Sequence, residues 1–470
     1  MPQELPLTIR DAAAALRSGT LNSVELTTGI LKRVSALNEA VGAYVTVMEE
    51  SALEAATAAD QAFTGGVDAG PLQGIPLAVK DIIATKDAPT TANSRVLDPE
   101  WGKGVDAPVV ARLRDAGAVV VGKSTTSEFA LGLPDPEKGF PVPRNPWNTA
   151  HTAGGSSSGT GIAVAAGLAL GGLGTDTGGS VRFPAAMNGH TGLKVTFGRV
   201  PKNDVVPLGY TLDSIGPMAR SAHDCAVMLE VMAGYDPGDS YAAGVEVPPY
   251  SAALTGTLEG VRVGVPIPYF FDAEGLDDEV RDAVFAAVEV LRGAGASVAE
   301  TVVPYARQAK EANSITMAGE SYAYHRDNLV HRWTHYGRFT RLSLGRGALF
   351  TAGDYAQAQR FRSFFRRAVA EVFSSFDVLV TPTWAKPAPR SEEMSAEAMV
   401  TAPSFTGPWN LTGLPAAAVP CGFSSSILPI SMQIVGKPFT EATVLRVADA
   451  YQRQTDWHLR VPPLAVQAAA

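Results

Sequence analysis

Two glycine loops in the middle of the chain carry serines that could act as nucleophiles. The first loop is residues 154–159 (GGSSSG) and the second is residues 178–180 (GGS). Glycine lets a reactant approach the backbone closely, and successive N–H groups in such a loop can stabilise an oxyanion. The segment 160–173 between them carries no charge and is too short to cross a bilayer, which takes about 20 apolar residues. We therefore predict a buried helix of small side chains, with the serine loops either near its two ends or returned to one another by the strand that follows.

A lysine interrupts a strand-like apolar run upstream of these loops, at Lys80 in residues 74–83 (GIPLAVKDII). Burying an unpaired ammonium group is very costly, so this position needs an explanation. Either Lys80 ends a strand and reaches solvent or pairs with Asp81, or it is buried with a lowered pKa and acts as a neutral base. The run alone favours the first interpretation. Lys123, at the end of the next strand candidate, is interpreted as structural.

Two common loop motifs fit these serines poorly. The first loop matches the G-x-S-x-G nucleophile elbow with Ser157 as the nucleophile, but loop-like residues 146–153 precede it where a strand is required. That elbow also needs a histidine in a strand-end loop, which the positions of His325, His331, His335 and His458 do not provide. The second loop lacks the lysine of a phosphate-binding P-loop. A serine–serine–lysine relay is the third mechanism that competes for these loops.

Separated motifs in the right order resemble the amidase signature family. The first serine loop is followed by residues 174–185 (GTDTGGSVRFPA) and 192–200 (GLKVTFGRV), and Ser180 lies 24 residues after Ser156. Upstream, residues 74–81 match the segment that carries the family's base lysine. Further matches are 377–383 (DVLVTPT) and two segments that look like the family's closing strands, 408–415 and 428–434. The departures from the family pattern, Ser158, Thr160 and Val195, remove no reacting group.

The resemblance implies a role for each residue of the motifs. Ser180 is the nucleophile, Ser156 relays the proton, and Lys80 is the base, which must be a neutral amine. A hydroxyl can donate and accept at once, so Ser156 can pass a proton between the other two. The peptide bond between Gly155 and Ser156 is expected to be cis. The backbone N–H groups expected to form the oxyanion hole are those of Thr177, Gly178, Gly179 and Ser180. Ser157 is expected to orient Lys80, while Asp176 and Arg182 brace the loop.

The alternation of strand and helix candidates between residues 74 and 123 is typical of an α/β sheet. The resemblance implies a single α/β/α domain over residues 1–470, with a large mixed, twisted central sheet covered by helices. Its catalytic core would span about 60–220, and a helical region at about 225–375 would shape the substrate pocket. Further helices are predicted at 9–16, 23–37, 50–62, 277–294, 309–329 and 355–373.

The implied function is amide hydrolysis through an acyl-enzyme, with no metal or organic cofactor. Related bonds such as aryl carbamates (urethanes), anilides and esters are further candidate substrates. The alternative is an ammonia-releasing glutaminase subunit of a glutamyl-tRNA amidotransferase, which would need partner subunits. The absence of an acid between Met399 and Trp409 to hold a glutamine amino group weighs against it. A non-catalytic binding protein is disfavoured because Lys80, Ser156 and Ser180 are all present.

Composition limits the partners. The net charge of −9 and the lack of a basic run argue against nucleic-acid binding. The two cysteines have neither metal-ligand spacing nor a disulfide pattern. The N-terminus shows no secretory signal. We therefore expect a cytoplasmic protein that does not bind membranes, and we expect it to be a monomer or a homodimer. Aromatic clusters indicate mainly core residues; any that line a pocket would indicate an apolar or aromatic substrate. These aromatic residues are Tyr269, Phe270, Phe271, Tyr322, Tyr324, Trp333, Phe339 and Phe350.

Overall fold

Eleven strands form one sheet in the part of the chain that the computed structural model describes, residues 5–395, 397 and 401–469. In chain order they are β1 (Tyr44–Val47), β2 (Pro76–Lys80), β3 (Val119–Ser124), β4 (Gly171–Asp176), β5 (Thr191–Lys194), β6 (Ser214–Ala219), β7 (Arg262–Pro266), β8 (Ser297–Thr301), β9 (Val378–Pro382), β10 (Ala416–Phe423) and β11 (Pro429–Gly436). Their spatial order is β1-β3-β2-β4-β6-β5-β10-β11-β9-β7-β8. β2 runs parallel to β3 and β4, and β7 runs parallel to β8 and β9, whereas the other neighbours are antiparallel. The sheet is therefore large and mixed, as predicted.

Helices pack against this sheet or against one another. In chain order they are α1 (Ile9–Ser18), α2 (Ser23–Val41), α3 (Glu49–Thr64), α4 (Pro108–Asp115), α5 (Ser158–Ala165), α6 (Arg182–Asn188), α7 (Ala222–Met232), α8 (Ile267–Phe270), α9 (Asp278–Gly293), α10 (Ala306–His331), α11 (Arg338–Gly345), α12 (Ala352–Ser375), α13 (Gly407–Thr412), α14 (Glu441–Gln452) and α15 (Pro463–Ala469). α6, α9 and α14 contact β10 and β11, and α7 contacts β5 and β6. The prediction of an α/β fold is confirmed.

The N-terminal helices begin and end at residues that explain their bounds. α2 follows Asn22, whose side chain accepts from the Glu25 amide while the Glu25 carboxylate accepts from the Asn22 amide. This capping box satisfies two amide donors that a helix start leaves unpaired. α2 ends at Gly42, where φ is +62° and a Cβ would lie 2.5 Å from the Val142 carbonyl oxygen. The predicted helices at 9–16, 23–37 and 50–62 are confirmed as α1, α2 and α3.

The small-residue segment 160–173 is only partly helical. α5 ends at Ala165, and β4 begins at Gly171. A Cβ at Gly172 would lie 2.6 Å from the Ala78 carbonyl oxygen, and a Cβ at Gly174 would lie 2.9 Å from Oγ of Ser157. The prediction of one helix through this segment is wrong, because small residues here allow close contact between strands and loops as well as between helices.

In the C-terminal half the helical predictions hold better than the strand predictions. The helices expected at 277–294, 309–329 and 355–373 are present as α9, α10 and α12. The segment 428–434 lies in β11, as expected, but 408–415 is mostly the short helix α13 and is not a strand. Across the described residues, no helix combines the length and the apolar character needed to cross a membrane.

Candidate active site

Lys80 lies at the carboxyl end of β2 and is fully buried. Its Nζ donates to Oγ of Ser156 at 2.7 Å and to Oγ1 of Thr175 at 2.8 Å. Burial lowers the pKa of Lys80 to about 7, although the carboxylates of Asp213 and Asp176 act in the opposite direction. A substantial fraction of Lys80 is therefore a neutral amine near pH 7, which is the form that a base requires.

The solvent-exposed interpretation of Lys80 is wrong, and so is its pairing with Asp81. Asp81 instead forms an ion pair with Lys123, at 3.5 Å between Oδ1 and Nζ. Lys123 also donates to the Ile83 carbonyl and to Oγ1 of Thr90, both at 2.6 Å. These contacts fit the structural role predicted for Lys123.

Lys194 shows why burial by itself does not identify the base. It is buried as completely as Lys80, and burial lowers its pKa to about 7 as well. Its Nζ, however, donates to the backbone carbonyls of Val195 and Leu414, at 2.8 Å each. Only Lys80 is hydrogen-bonded to Ser156, so geometry distinguishes the two lysines.

The two serine loops meet through their backbones. The Ser157 amide donates to the Ser180 carbonyl at 3.2 Å, and the Ser156 carbonyl accepts from the Ser127 amide at 3.2 Å. The Gly155–Ser156 peptide bond is cis, as the resemblance implied. Ser156 is almost fully buried, whereas Ser180 is half-buried, and both line one cavity.

Asp176 organises the second serine loop. Its carboxylate accepts from the amides of Gly179 at 2.8 Å and Val181 at 3.2 Å, and from the Asn410 side chain at 2.8 Å. It also accepts two hydrogen bonds from Arg182, each 2.9 Å long. Burial alone would raise the pKa of Asp176, but the Arg182 guanidinium outweighs it and holds that pKa well below its usual range. The carboxylate therefore stays ionised, and its contacts fit the predicted bracing role.

The loop offers fewer oxyanion donors than the four expected from the sequence. The Gly179 amide already donates to Asp176, so it is not available to an oxyanion in this arrangement. Gly179 has φ of +135°, and a Cβ there would lie 2.6 Å from the Phe183 ring. The amides of Thr177, Gly178 and Ser180 have no acceptor among the described residues and remain candidates.

Ser157 forms no hydrogen bond with Lys80, whose partners are Ser156 and Thr175. Its hydroxyl accepts from the Thr175 amide at 3.2 Å and donates to the Thr175 carbonyl at 3.3 Å. The Thr175 side chain is the direct partner of Lys80 beside Ser156. Any influence of Ser157 on Lys80 therefore passes through Thr175, which the sequence motif contained but sequence reasoning missed.

Asp213 is a second residue that sequence reasoning missed. Its carboxylate accepts from the Thr177 hydroxyl at 2.5 Å and from the amides of Leu208 and Gly209 at about 3.0 Å. It thus fixes the side chain of Thr177, the first residue of the candidate oxyanion loop. Its 33-residue distance from Ser180 in the sequence, with no recognised motif around it, gave no signal.

Ser156 and Ser180 both line a cavity of 390 Å³, which is large enough for a small organic substrate. Its walls are mainly apolar, and the rings of Phe183 and Trp384 meet edge to face at 4.9 Å. Lys310 is the only charged side chain among the described lining residues. Of the aromatic residues singled out in the sequence, Phe339 alone lines this cavity, whereas Phe270 and Phe271 belong to the core.

The comparisons with known proteins agree with this geometry. A family model described as Amidase matches residues 25–445. The chain is 43% identical to a glutamyl-tRNA(Gln) amidotransferase subunit from Roseiflexus sp. (strain RS-1), over 98% of this chain and 99% of that protein. It is 40% identical to the protein of the same name from Chloroflexus aurantiacus, again over 98% and 99%. These relatives favour the ammonia-releasing alternative over aryl amides or carbamates as specific substrates.

Solved structures with the same fold include a peptide amidase and a glutamyl-tRNA(Gln) amidotransferase subunit. The native peptide amidase from Stenotrophomonas maltophilia superposes with a TM-score of 0.83 at 30% identity, covering 97% of this chain and 99% of that one. The corresponding glutamyl-tRNA(Gln) amidotransferase subunit from Thermotoga maritima gives 0.81 at 29%, covering 98% and 99%. A protein of a complex described in connection with the origins of an s-triazine catabolic enzyme gives 0.89 at 29%, covering 95% and 98%. With the motifs, the fold and the family match in agreement, this chain belongs to the amidase signature family.

Proposed function

We propose that this protein hydrolyses a carbon–nitrogen amide bond with Ser180 as the nucleophile, Ser156 as the relay and Lys80 as the base. The observation that carries the proposal is the 2.7 Å hydrogen bond between Lys80 and Ser156 at a cavity that Ser180 also lines. An alcohol is a weak nucleophile near neutral pH and needs an adjacent base. A buried, partly neutral lysine supplies that base.

In the first half of the reaction, Ser180 Oγ attacks the substrate carbonyl carbon. Its proton passes to Ser156, whose own proton passes to Lys80. The carbonyl oxygen gains negative charge, which we expect the amides of Thr177, Gly178 and Ser180 to stabilise. Losing one donor of this kind typically raises the barrier by about 3–4 kcal/mol.

In the second half, the carbon–nitrogen bond breaks and the leaving amine takes a proton from Lys80 through Ser156. The acyl group remains on Ser180 as an ester. Water then attacks this ester and gives up its proton through the same two residues. The carboxylic acid leaves, and Ser180 regains its proton.

The cavity walls support a neutral substrate with an apolar or aromatic part. Free glutamine carries an ammonium and a carboxylate, and burying an unpaired charge is costly. No acidic side chain is found among the described lining residues to pair with the ammonium. Primary amides, anilides and aryl carbamates (urethanes) meet the apolar requirement without this cost.

The second candidate function is release of ammonia from glutamine as one subunit of an amidotransferase. It is favoured by the relatives, which carry that subunit's name and match over nearly their whole length. A panel of p-nitroanilides, primary amides, carbamates and glutamine separates the two candidates. Turnover of apolar amides by the purified chain alone supports the first. Ammonia release from glutamine that depends on added partner subunits supports the second.

The nucleophile is tested with Ser180→Ala and a fluorophosphonate probe, which reacts with activated serines. We expect the probe to label Ser180 of the wild type, as located by peptide mass spectrometry. The variant should lose both labelling and turnover while keeping its unfolding midpoint. Turnover at the wild-type level in the variant, or labelling at Ser157, would refute the assignment.

A further inference from the structure

Asn313 lies on the face of α10 that borders the substrate cavity. Lys310, Ser314 and Met317 line the cavity with it. Their spacing of three, four and seven residues places all four on one side of the helix. Asn313 is 4% exposed, so its polar side chain is held away from bulk water.

The side-chain amide of Asn313 has no hydrogen-bond partner among the described residues. Its Oδ1 is buried and unpaired. Other buried asparagines near the site are bonded: Asn145 donates to the carbonyls of Thr152 and Met187, and Asn410 donates to Asp176. Buried polar groups in native proteins are nearly always paired, since leaving one unpaired costs the full desolvation penalty. The unpaired Oδ1 requires a hydrogen-bond donor, whereas Nδ2 has no acceptor among the described residues and is available to donate to a group that arrives with the substrate.

The location of the amide nitrogen indicates what that partner is. A Cβ placed on Gly178 would lie 3.6 Å from Nδ2 of Asn313 and would meet no other neighbouring atom within 4 Å. Nδ2 thus borders the open space over Gly178, in the middle of the candidate oxyanion loop. The neighbouring Gly179 amide is already committed to Asp176. A side-chain N–H group at this point can add to the donors that the backbone provides.

We propose that Nδ2 of Asn313 donates a hydrogen bond to the carbonyl oxygen of the scissile amide, and that this hydrogen bond becomes stronger as the oxygen gains negative charge. The inference rests on the proposed function, because it assumes that the carbonyl binds over this loop. Side-chain amides act as oxyanion donors in other hydrolases, where they accelerate the chemical step more than they tighten substrate binding. Asn313 would then be a catalytic residue contributed by a helix more than 130 residues after Ser180 in the chain.

The test is Asn313→Leu, which keeps much of the side-chain volume and removes the donor. On an amide that the wild type hydrolyses, we expect kcat to fall about 100-fold while KM changes little, the pattern for an interaction made mainly in the transition state. The unfolding midpoint should not fall, because the native state loses no hydrogen bond. Asn313→Ala repeats the measurement if the leucine variant is poorly soluble.

Two asparagine variants provide matched controls. Asn145→Leu removes an amide that is hydrogen-bonded in the native state, so its unfolding midpoint should fall. Asn328→Leu makes the same change on α10 outside the cavity lining, and its kcat should match the wild type.

A kcat of Asn313→Leu within threefold of the wild type would overturn the proposal. So would a rise in KM with kcat unchanged, or a loss of kcat matched by a lower unfolding midpoint. If the wild type turns over substrate and Ser180→Ala does not, the proposed function stands whatever Asn313→Leu shows. A wild type that hydrolyses nothing and resists the serine probe would refute the proposed function and this inference together.

Discussion

Replacing Lys80 with methionine should abolish turnover and change the free energy of unfolding, relative to that of the wild type, by an amount that depends on pH. Burial lowers the pKa of Lys80 from 10.5 to about 7. One pKa unit corresponds to about 1.36 kcal/mol. At a pH where Lys80 is protonated in both the folded and the unfolded state, its burial therefore destabilises the folded state by about 5 kcal/mol. Lys80→Met removes this penalty because it removes the titrating group.

The sign of this pH dependence follows from the pH at which Lys80 loses its proton in the folded and in the unfolded state. Below pH 7 the lysine is charged in both states and the penalty is full. Between pH 7 and 10.5 only the unfolded state holds the proton, so wild-type stability rises with pH. Above pH 10.5 the penalty has gone. The free energy of unfolding of Lys80→Met minus that of the wild type should therefore fall by about 3 kcal/mol between pH 7 and pH 9.5.

Urea unfolding of both proteins at these two pH values measures this change. The loss of the hydrogen bonds to Ser156 and Thr175 also affects the variant, by about 1–3 kcal/mol for each hydroxyl left unpaired. That contribution depends little on pH, so it cancels when the two pH values are compared. Groups other than Lys80 titrate in both proteins and cancel in the same way. A stability difference that is the same at pH 7 and pH 9.5 would mean that folding does not lower the pKa of Lys80, and the neutral-base mechanism would be refuted.

Two further predictions concern the partners of Lys80. Wild-type kcat/KM should rise with pH through about 7. Thr175→Val should move this rise to lower pH by about 1 pH unit, because it removes a hydrogen-bond acceptor that favours the charged lysine. A pH–rate profile of the variant that stays in place, or moves to higher pH, would contradict this role of Thr175. Ser156→Ala should lower kcat/KM more for an amide than for a matched activated ester, because the amine must be protonated as it leaves whereas a phenolate can depart without help. Because the two residues act as one unit, the losses of kcat/KM in Ser156→Ala and Lys80→Ala should not add in the double variant. Ser156 would instead be a structural loop residue if Ser156→Ala lowered kcat/KM equally for the amide and the ester and if its loss added to that of Lys80→Ala.

The substrate assignment depends on how the relatives and the cavity are weighed. Named relatives match over almost the whole chain, yet the described cavity lining has one basic side chain and no acidic one. Overall identity mainly reflects the core and the catalytic loops, whereas specificity depends on a few side chains in the cavity walls. The substrate panel therefore decides more than a further comparison of whole sequences.

The sequence by itself determined the parts of the site that follow one another closely along the chain. The serine loops, their 24-residue spacing and the segment around Lys80 resemble the amidase signature family, and that resemblance pointed to the relay without any tertiary information. Long periodic segments such as α2 and α10 were equally predictable, because helical spacing and caps are local signals. The segment 160–173 was not, since small residues fit both a buried helix and a closely packed strand.

Only the tertiary structure decided which groups complete the site. The sheet order places β2 beside β4, which brings Lys80 against Thr175, a pair 95 residues apart. The fold likewise commits the Gly179 amide to Asp176 and sets Asn313 of α10 over Gly178. Such contacts join elements that are distant in the chain, and their partners depend on how the sheet and helices pack. A local pattern can identify a reactive residue, but it cannot identify the distant residue that packing brings to it.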